Sequence, residues 1–137
     1  MDLEEMRRFI DRDRFARHLG IEVLGWEQGA ARARMDVEAH HLNSAGTVHG
    51  GAIFSLADAV FAIASNSHGT LAMAINVSIS YFKAPTDGSL FAEAEEISLN
   101  PRLATYVVSV RDAEGSRIAL FQGTVYRKRE SVADIVD

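Results

Sequence analysis

Cysteine is absent from the 137 residues, and proline occurs only at Pro85 and Pro101. Without cysteine the chain can form no disulfide, no thiolate zinc site and no cysteine nucleophile, and it suits a reducing compartment. Basic residues are also in the minority, because 14 Lys and Arg stand against 19 Asp and Glu. The net charge of −5 argues against a general nucleic-acid-binding protein, since such proteins need a basic face.

Long apolar runs are missing as well. The most apolar stretch, residues 52–64, contains Ser55 and Asp58 and is shorter than the roughly 18–20 residues of a membrane span. The first five residues are mainly acidic and lack an apolar segment, so no signal peptide is predicted. We therefore expect a cytoplasmic protein whose partners include neither a membrane nor a nucleic acid.

The rest of the chain is organised around residues 43–69, of which residues 52–64 are the most apolar part. Ala, Ile, Leu, Val and Phe occupy every side of the helical wheel, which predicts a helix buried on all sides. A loop rich in glycine and small polar residues leads into it and ends at Gly51, and Gly69 suits the left-handed conformation that ends a helix. The only charged residue is Asp58. A carboxylate inside a buried helix destabilises the fold unless it is paired or hydrated, so its presence there indicates a pairing partner, bound water or a function.

The flanking sequence predicts a surface helix and six strands, all in one domain of residues 1–137. The predicted elements are a helix at residues 3–18, two strands joined at Gln28-Gly29, and strands at residues 73–82, 89–99, 103–111 and 117–127. A phase shift near Glu95-Glu96 indicates a bulge. Residues 128–137 are polar and weakly patterned, which predicts a loose tail beyond a core at about residues 15–127.

This order of elements predicts an α+β fold. A sheet of about six antiparallel strands can bury an apolar helix on all sides only by curling around it. Even then, part of the helix and both edges of the sheet stay open, and a partner subunit could cover them.

Five short motifs give the sequence a family resemblance. They are Leu42-Asn43, His49-Gly50-Gly51, Leu56-Ala57-Asp58, Ser65-Asn66 and Phe82-Lys83-Ala84-Pro85. Together they resemble the hotdog-fold acyl-CoA thioesterases, and most closely the PaaI-type branch of phenylacetate degradation. The resemblance covers roughly residues 15–127. It implies the hotdog fold, a curled antiparallel sheet around one long central helix, and a reaction that needs no metal or organic cofactor.

The resemblance also implies dimers or tetramers with active sites at the dimer interface, and the spacing of two residues agrees. Gly50 and Asp58 are eight residues apart on one helix, or about 12 Å along its axis. A thioester carbonyl at the helix N-terminus cannot touch Asp58 of the same helix, so the two groups can serve one reaction only from different subunits. We therefore expect an obligatory homodimer and a homotetramer made of two dimers.

The resemblance further assigns roles near the helix start. Asp58 acts as a general base on water or as a nucleophile that forms an anhydride, and both routes stay open. The N–H of Gly50, or less favourably that of Gly51, forms an oxyanion hole at the positive end of the helix dipole. Asn43 helps to hold water or the thioester, and His49 packs beside the catalytic loop. Each residue also has a structural alternative, namely tight packing for the glycines, a cap for Asp58, a turn for Asn43 and a structural role for His49.

Residues that contact the substrate are less sharply defined. Ser65 and Asn66 match the PaaI-type branch and either line the acyl pocket or end the helix. Lys83 and Arg102 are candidates for binding the phosphates of coenzyme A, as is the cluster Arg127-Lys128-Arg129, because Lys and Arg bind phosphate.

Two further groups of residues are of the types that form an apolar pocket or a metal site. Phe54, Phe61 and Met73 either build the acyl pocket or belong to the core. His40 and His41 match no zinc-binding spacing with His49, so no metal site is predicted.

We therefore predict an acyl-CoA thioesterase that converts the ester and water into free acid and CoA. The resemblance favours an aryl-acetyl or another small or medium acyl group. One alternative is a hotdog dehydratase or hydratase of 3-hydroxyacyl thioesters, although those relatives carry a proline-rich turn before the helix that is missing here. The other is a non-catalytic acyl-CoA-binding module, against which the presence of Asp58 together with His49-Gly50-Gly51 argues.

Overall fold

The computed structural model of this protein describes residues 2–137. Its helices are α1 (Leu3–Asp11), α2 (Arg14–His18), α3 (Gly50–Asn66) and α4 (Val132–Val136), with a 3-10 turn at Ala39–His41. Its strands are β1 (Ile21–Glu27), β2 (Ala30–Asp36), β3 (Thr70–Tyr81), β4 (Ser89–Leu99), β5 (Leu103–Asp112) and β6 (Arg117–Ser131). None of the helices in this range is long and apolar enough to cross a membrane.

The six strands form one sheet that curls around α3. Their order is β1-β2-β4-β5-β6-β3, and every neighbouring pair is antiparallel, so β1 and β3 are the two edges. α3 contacts all six strands. The predicted order of strands around a central helix is confirmed, and the predicted bulge lies between Glu96 and Ser98 of β4.

Alternation along the strands explains why the sheet has one dry face. In β5, for example, Ala104, Tyr106 and Val108 are buried while the residues between them are more exposed. The packing against α3 is tight at Gly123 of β6, where an added Cβ would lie 2.6 Å from Cζ of Phe61. Only glycine lets the Phe61 ring approach the strand so closely.

One stripe of α3 is less covered than the rest of the helix. Its members follow the helical spacing of three and four residues: Gly51, Phe54, Ser55, Asp58 and Ala62. Gly51 is exposed and the other four are partly buried, whereas the remaining residues from position 52 to 66 are buried. The helix is therefore not buried on every side within one chain. The stripe is the part that the sequence predicts to stay open, because one six-stranded sheet does not close fully around the helix.

The N-terminal segment forms two helices and not the single helix predicted at residues 3–18. α1 ends at Asp11, and Asp13 begins α2 as its N-cap, with its carboxylate accepting a hydrogen bond from the N–H of Ala16 at 2.9 Å. Aspartate is a preferred N-cap residue, so Asp13 favours a new helix start over a continuous helix.

The C-terminal residues are ordered, so the prediction of a loose tail at residues 128–137 is wrong. β6 runs to Ser131, which forms a capping box with Asp134 at the start of α4. Val132 is fully buried, and its N–H donates to the carbonyl of Gly69 at 2.8 Å. The capping-box pattern Ser131-x-x-Asp134 was the available sequence signal.

Polar contacts fix the C-terminal end of α3 to the sheet. Ser67 Oγ accepts a hydrogen bond from the N–H of Gly29 at 2.8 Å. His68 Nε2 donates to Glu96 Oε2 at 2.5 Å, and the Tyr106 hydroxyl donates to the same oxygen at 2.9 Å. Burial and the neighbouring Glu96 raise the pKa of Tyr106, so its hydroxyl stays protonated as a donor.

Candidate active site

The start of α3 carries a backbone N–H group that can bind a ligand. His49 is the N-cap, and its Nδ1 accepts a hydrogen bond from the N–H of Gly51 at 2.8 Å. The N–H groups of Ala52 and Ile53 donate to the carbonyl of His49 at 2.9 and 3.2 Å. Across residues 2–137, no acceptor takes the N–H of Gly50. Of the two predicted oxyanion donors, Gly51 is therefore engaged and Gly50 is available at the positive end of the helix.

Tyr81, a residue that sequence reasoning missed, lies against this helix start. Its hydroxyl donates to the carbonyl of Gly50 at 3.0 Å, and its ring would lie 3.3 Å from a Cβ added at Gly50. Burial raises the pKa of Tyr81. The hydrogen bond joins residues 31 positions apart, so no local sequence pattern could have revealed it.

Asn43 organises the loop that leads into α3. Its Oδ1 accepts hydrogen bonds from the N–H groups of Ala45 and Thr47 at 3.0 and 3.1 Å, and its Nδ2 donates to Thr47 Oγ1 at 2.9 Å. Asn43 thus forms the turn that was its structural alternative. Its predicted role toward water or the thioester stays a prediction.

The histidines before the helix have structural contacts. His41 is buried, its Nδ1 accepts from the N–H of Glu38 at 3.0 Å, and its Nε2 donates to the carbonyl of Leu19 at 2.7 Å. Both ring nitrogens of His41 are therefore occupied. In the part of the chain that the structure describes, no three His, Asp or Glu side chains form a group that could hold a metal ion.

Asp58 lies on the less covered stripe of α3. Burial raises the pKa of its carboxyl, and the negative charge of Asp13 raises it further. No hydrogen bond or ion pair to this carboxylate is found among residues 2–137. An unpaired, partly buried carboxylate is costly in a structural role, whereas a raised pKa makes it a better base. Asp13 is a second residue that sequence reasoning did not connect with the site.

One chain does not bring Gly50 and Asp58 to a common reaction centre. Both lie on the single uninterrupted helix α3, eight positions and about 12 Å apart along the axis. The distance exceeds what one thioester carbonyl group can bridge.

The sequence around α3 and the neighbouring strands matches a known family. Residues 45–119 fit the family model described as Thioesterase superfamily. The acyl-coenzyme A thioesterase PaaI of Escherichia coli K12 is 33% identical over 118 residues, which are 85% of this chain and 84% of that protein. This chain belongs to the thioesterase superfamily. A protein of Archaeoglobus fulgidus is similar to it too, with 49% identity over 119 residues, or 86% of this chain and 77% of that protein.

Solved structures extend the similarity of this thioesterase to the whole fold. The PaaI protein from the phenylacetic acid degradation operon of Escherichia coli superposes with a TM-score of 0.90 at 29% identity, covering 93% of this chain and 94% of that one. A variant of the phenylacetic acid degradation protein PaaI from Thermus thermophilus gives 0.81 at 42% identity, covering 85% and 100%. The predicted hotdog fold and the resemblance to the PaaI-type branch are confirmed, as is the enzyme class at the level of the family.

Two predicted pocket residues of this thioesterase lie at the far end of α3. Ser65 and Asn66 are buried. Ser65 Oγ donates to the carbonyl of Ala62 at 3.2 Å, and Asn66 Oδ1 accepts from the N–H of Ala72 at 2.9 Å while its Nδ2 donates to the carbonyl of Ala62 at 2.8 Å. The Asn66 contacts join the helix end to β3, whereas the Ser65 hydrogen bond stays within α3. Both sets of contacts favour the structural alternative for these residues.

The predicted phosphate-binding residues lie at opposite ends of the sheet. Lys83 follows the end of β3 that meets the start of α3. Arg102 lies in the turn between β4 and β5, where its Nη1 donates to the carbonyl of Arg127 at 3.0 Å, and Arg127 pairs with Ala72 near the end of α3. Within one chain, the two predicted residues therefore lie near opposite ends of β3.

An apolar depression of about 410 Å³ adjoins the start of α3. Its lining includes Phe15, Leu42, Phe54 and the N-cap His49. Of the three residues with a pocket or a core interpretation, Phe54 thus faces a pocket. Phe61 is buried and packs against Phe121 and Tyr106, so it belongs to the core. Met73 is exposed on the edge strand β3.

Proposed function

We propose that this protein hydrolyses acyl-CoA thioesters at a site shared by two subunits. The observation that carries the proposal is the pair of unused groups on α3, the N–H of Gly50 and the carboxylate of Asp58. Both are of the kind that acyl transfer needs, a preorganised donor for the carbonyl oxygen and a base or nucleophile. Membership of the thioesterase superfamily and the similarity to the acyl-coenzyme A thioesterase PaaI support the choice of substrate.

In the proposed reaction, the N–H of Gly50 in one subunit donates to the thioester oxygen and stabilises the negative charge that develops there. Asp58 of the other subunit removes a proton from a water molecule as the water oxygen attacks the carbonyl carbon. The tetrahedral intermediate then collapses, the C–S bond breaks, and the CoA thiolate takes up a proton. In the nucleophilic route, Asp58 attacks the carbonyl carbon itself, CoA leaves, and water cleaves the resulting anhydride. Neither route uses a metal or an organic cofactor.

For the acyl group, we propose an aryl-acetyl or another small to medium group. The apolar depression beside the start of α3 supports this choice, because Phe15, Leu42 and Phe54 offer the acyl group aromatic and aliphatic contacts.

We further propose that the phosphates of coenzyme A are bound by Lys83 of one subunit and Arg102 of the other. A cytoplasmic location, suggested by the absence of cysteine, is part of the same proposal.

For the assembly, we propose a homodimer through the edge strand β3 and the adjacent stripe of α3, and a homotetramer of two such dimers. β3 is twelve residues long and has a neighbour on one side only, in β6. Met73 and Ile75 on this strand are 55% and 60% exposed. Pairing of β3 with a second copy would satisfy the unpaired backbone N–H and C=O groups of this edge and bring a second α3 near the first.

The experiment that tests the function is release of CoA thiol from a panel of esters. The panel holds acetyl-, hexanoyl-, benzoyl-, phenylacetyl- and hydroxyphenylacetyl-CoA, and a thiol reagent reports the product without background because the protein has no cysteine. We expect turnover that falls about a hundredfold or more in Asp58→Ala, as for the loss of an acid–base group. Glu4→Gln, on the exposed face of α1, is the control.

Two results would contradict this proposal. Turnover that survives Asp58→Ala would remove Asp58 from the mechanism. No turnover of any ester would exclude the thioesterase reaction on these substrates and favour a dehydratase, which a 3-hydroxyacyl-CoA assay would detect, or a binding module, which would bind the esters without cleaving them.

A further inference from the structure

The peptide group between Gly50 and Gly51 is held at both of its polar ends. Its carbonyl oxygen accepts the hydroxyl of Tyr81 at 3.0 Å, and its N–H donates to Nδ1 of His49 at 2.8 Å. The two partners come from different parts of the chain, since His49 is the N-cap of α3 and Tyr81 ends the edge strand β3. The first peptide plane of the helix is therefore clamped from opposite sides.

Such a clamp matters because both residues of the peptide are glycines. Glycine has more conformational freedom than any other residue, so the first turn of α3 lacks the restraint that side chains normally impose. The N–H of Gly50, one peptide before the clamp, can stabilise a developing negative charge only if its direction is fixed in advance. The Tyr81 ring adds a second restraint, because it packs so close to Gly50 that an added Cβ would lie 3.3 Å from it.

We propose that Tyr81 is a positioning residue that fixes the direction of the Gly50 N–H for oxyanion binding. The inference rests on the proposed function of Gly50 as the donor to the thioester oxygen. Tyr81 acts through the backbone of Gly50 and not on the substrate, so its hydroxyl affects the rate of the chemical step and not the binding of the ester.

The state of the Tyr81 hydroxyl agrees with this role. Partial burial raises the pKa of Tyr81 above its ordinary value of 10.0, so the hydroxyl is protonated and can donate at neutral pH. No other acceptor competes for it within residues 2–137, because its one hydrogen bond goes to the carbonyl of Gly50.

The first test is the steady-state kinetics of Tyr81→Phe, which removes the hydroxyl and keeps the ring. We expect kcat to fall about tenfold, less than the roughly 10²–10³ that follows loss of an oxyanion donor itself, with KM changed by less than about twofold. Tyr126→Phe is the matched control, since Tyr126 is 44% exposed on β6, close to the 47% of Tyr81, and lies away from the start of α3. The control should keep the kcat of the wild type.

The second test does not depend on turnover. Amide hydrogen exchange measured by NMR reports how well the Gly51 N–H is held by His49. Without the Tyr81 hydroxyl the clamped peptide gains freedom, so we expect faster exchange at Gly51 in Tyr81→Phe and no change in Tyr126→Phe.

The outcomes separate this inference from the proposed function. Unchanged kcat in Tyr81→Phe would overturn the positioning role, and so would a raised KM with unchanged kcat, because that pattern indicates direct contact with the substrate. Unchanged exchange at Gly51 would overturn the clamp even in an active enzyme. A wild-type protein that cleaves no ester contradicts the proposed function instead, and in that case faster exchange in Tyr81→Phe would still support the clamp on the peptide.

Discussion

At the scale of single residues, the partial burial of Asp58 has two effects: it makes the carboxylate more basic, and it lowers the stability of the fold when the carboxylate is ionised. Burial is the main cause of its raised pKa, with a smaller contribution from Asp13. The folded protein then binds the proton of Asp58 more tightly than the unfolded chain does. Stability falls as pH rises through the interval between the unfolded and the folded pKa, and the loss persists above it. The ionised carboxylate that the proposed reaction needs is therefore the form that destabilises the fold.

We predict that Asp58→Asn raises the thermal unfolding midpoint at pH 7 by a few degrees while it abolishes turnover, because the amide carries no charge to bury. The gain should shrink as pH falls toward the ordinary aspartate pKa of 3.8 and below it, where the wild-type carboxyl is protonated in both states. Thermal unfolding monitored by circular dichroism at several pH values measures both effects. A midpoint lowered at pH 7 would mean that the carboxylate has a stabilising partner.

At the scale of elements, the strands were predictable because their signal is local. Alternation with a period of two fixes which residues of β5 face the helix, and turn residues mark the ends of β4. The stretch from Ala52 to Ala64 likewise predicts α3 from composition alone. The roles predicted for His49, Gly50 and Asp58 came from the family resemblance, which is visible because these residues belong to one continuous segment.

The features that were missed depend on contacts between distant segments or on very short elements. α4 has five residues, too few for a helical period to show, and it is held by Gly69 from the far end of α3. The break between α1 and α2 depends on the single side chain of Asp13. Tyr81 looked like one more residue of an alternating strand, because only the folded chain brings it to Gly50.

The role of α4 as an ordered element can be measured. We predict that Val132→Ala lowers the free energy of unfolding by about 1.5 kcal/mol or more, since two fully buried methyl groups are lost at roughly 0.8 kcal/mol each. Asp137→Asn is the contrasting variant from the same segment. It removes an exposed ion pair with Arg8 and should cost at most about 0.5 kcal/mol. Urea denaturation gives both values. A Val132→Ala protein as stable as the wild type would contradict this prediction and support the interpretation of residues 128–137 as a loose tail.

At the scale of the whole molecule, the proposed dimer makes each α3 serve two sites. Its start supplies the Gly50 N–H to one site, and its middle supplies Asp58 to the other. Two inactive variants can then complement each other. Gly50→Pro removes the donor at the first helical position, where proline is best tolerated, and Asp58→Ala removes the carboxylate.

We predict that co-expression of Gly50→Pro and Asp58→Ala chains restores about a quarter of the wild-type activity, because half of randomly formed dimers are mixed and each mixed dimer has one intact site. Co-expression of wild-type chains with the double variant Gly50→Pro/Asp58→Ala is the matched control. Shared sites leave only the pure wild-type dimers active, about a quarter of the total, whereas sites within one subunit would leave about half. CoA release by the purified mixtures decides between these outcomes.

The edge strand β3 has a consequence for how the protein is made. Its sequence from Thr70 to Tyr81 contains no charged residue and no proline, the two devices by which proteins usually prevent strands from adding to an open edge. In the proposed assembly, a newly folded protomer that has not yet paired exposes this edge as a template for amyloid-like growth. For the proposed dimer, the interval between folding and pairing is therefore the stage at which aggregation is favoured. Substitutions that slow pairing are thus expected to reduce the yield through aggregation, even where they leave the folded protomer intact.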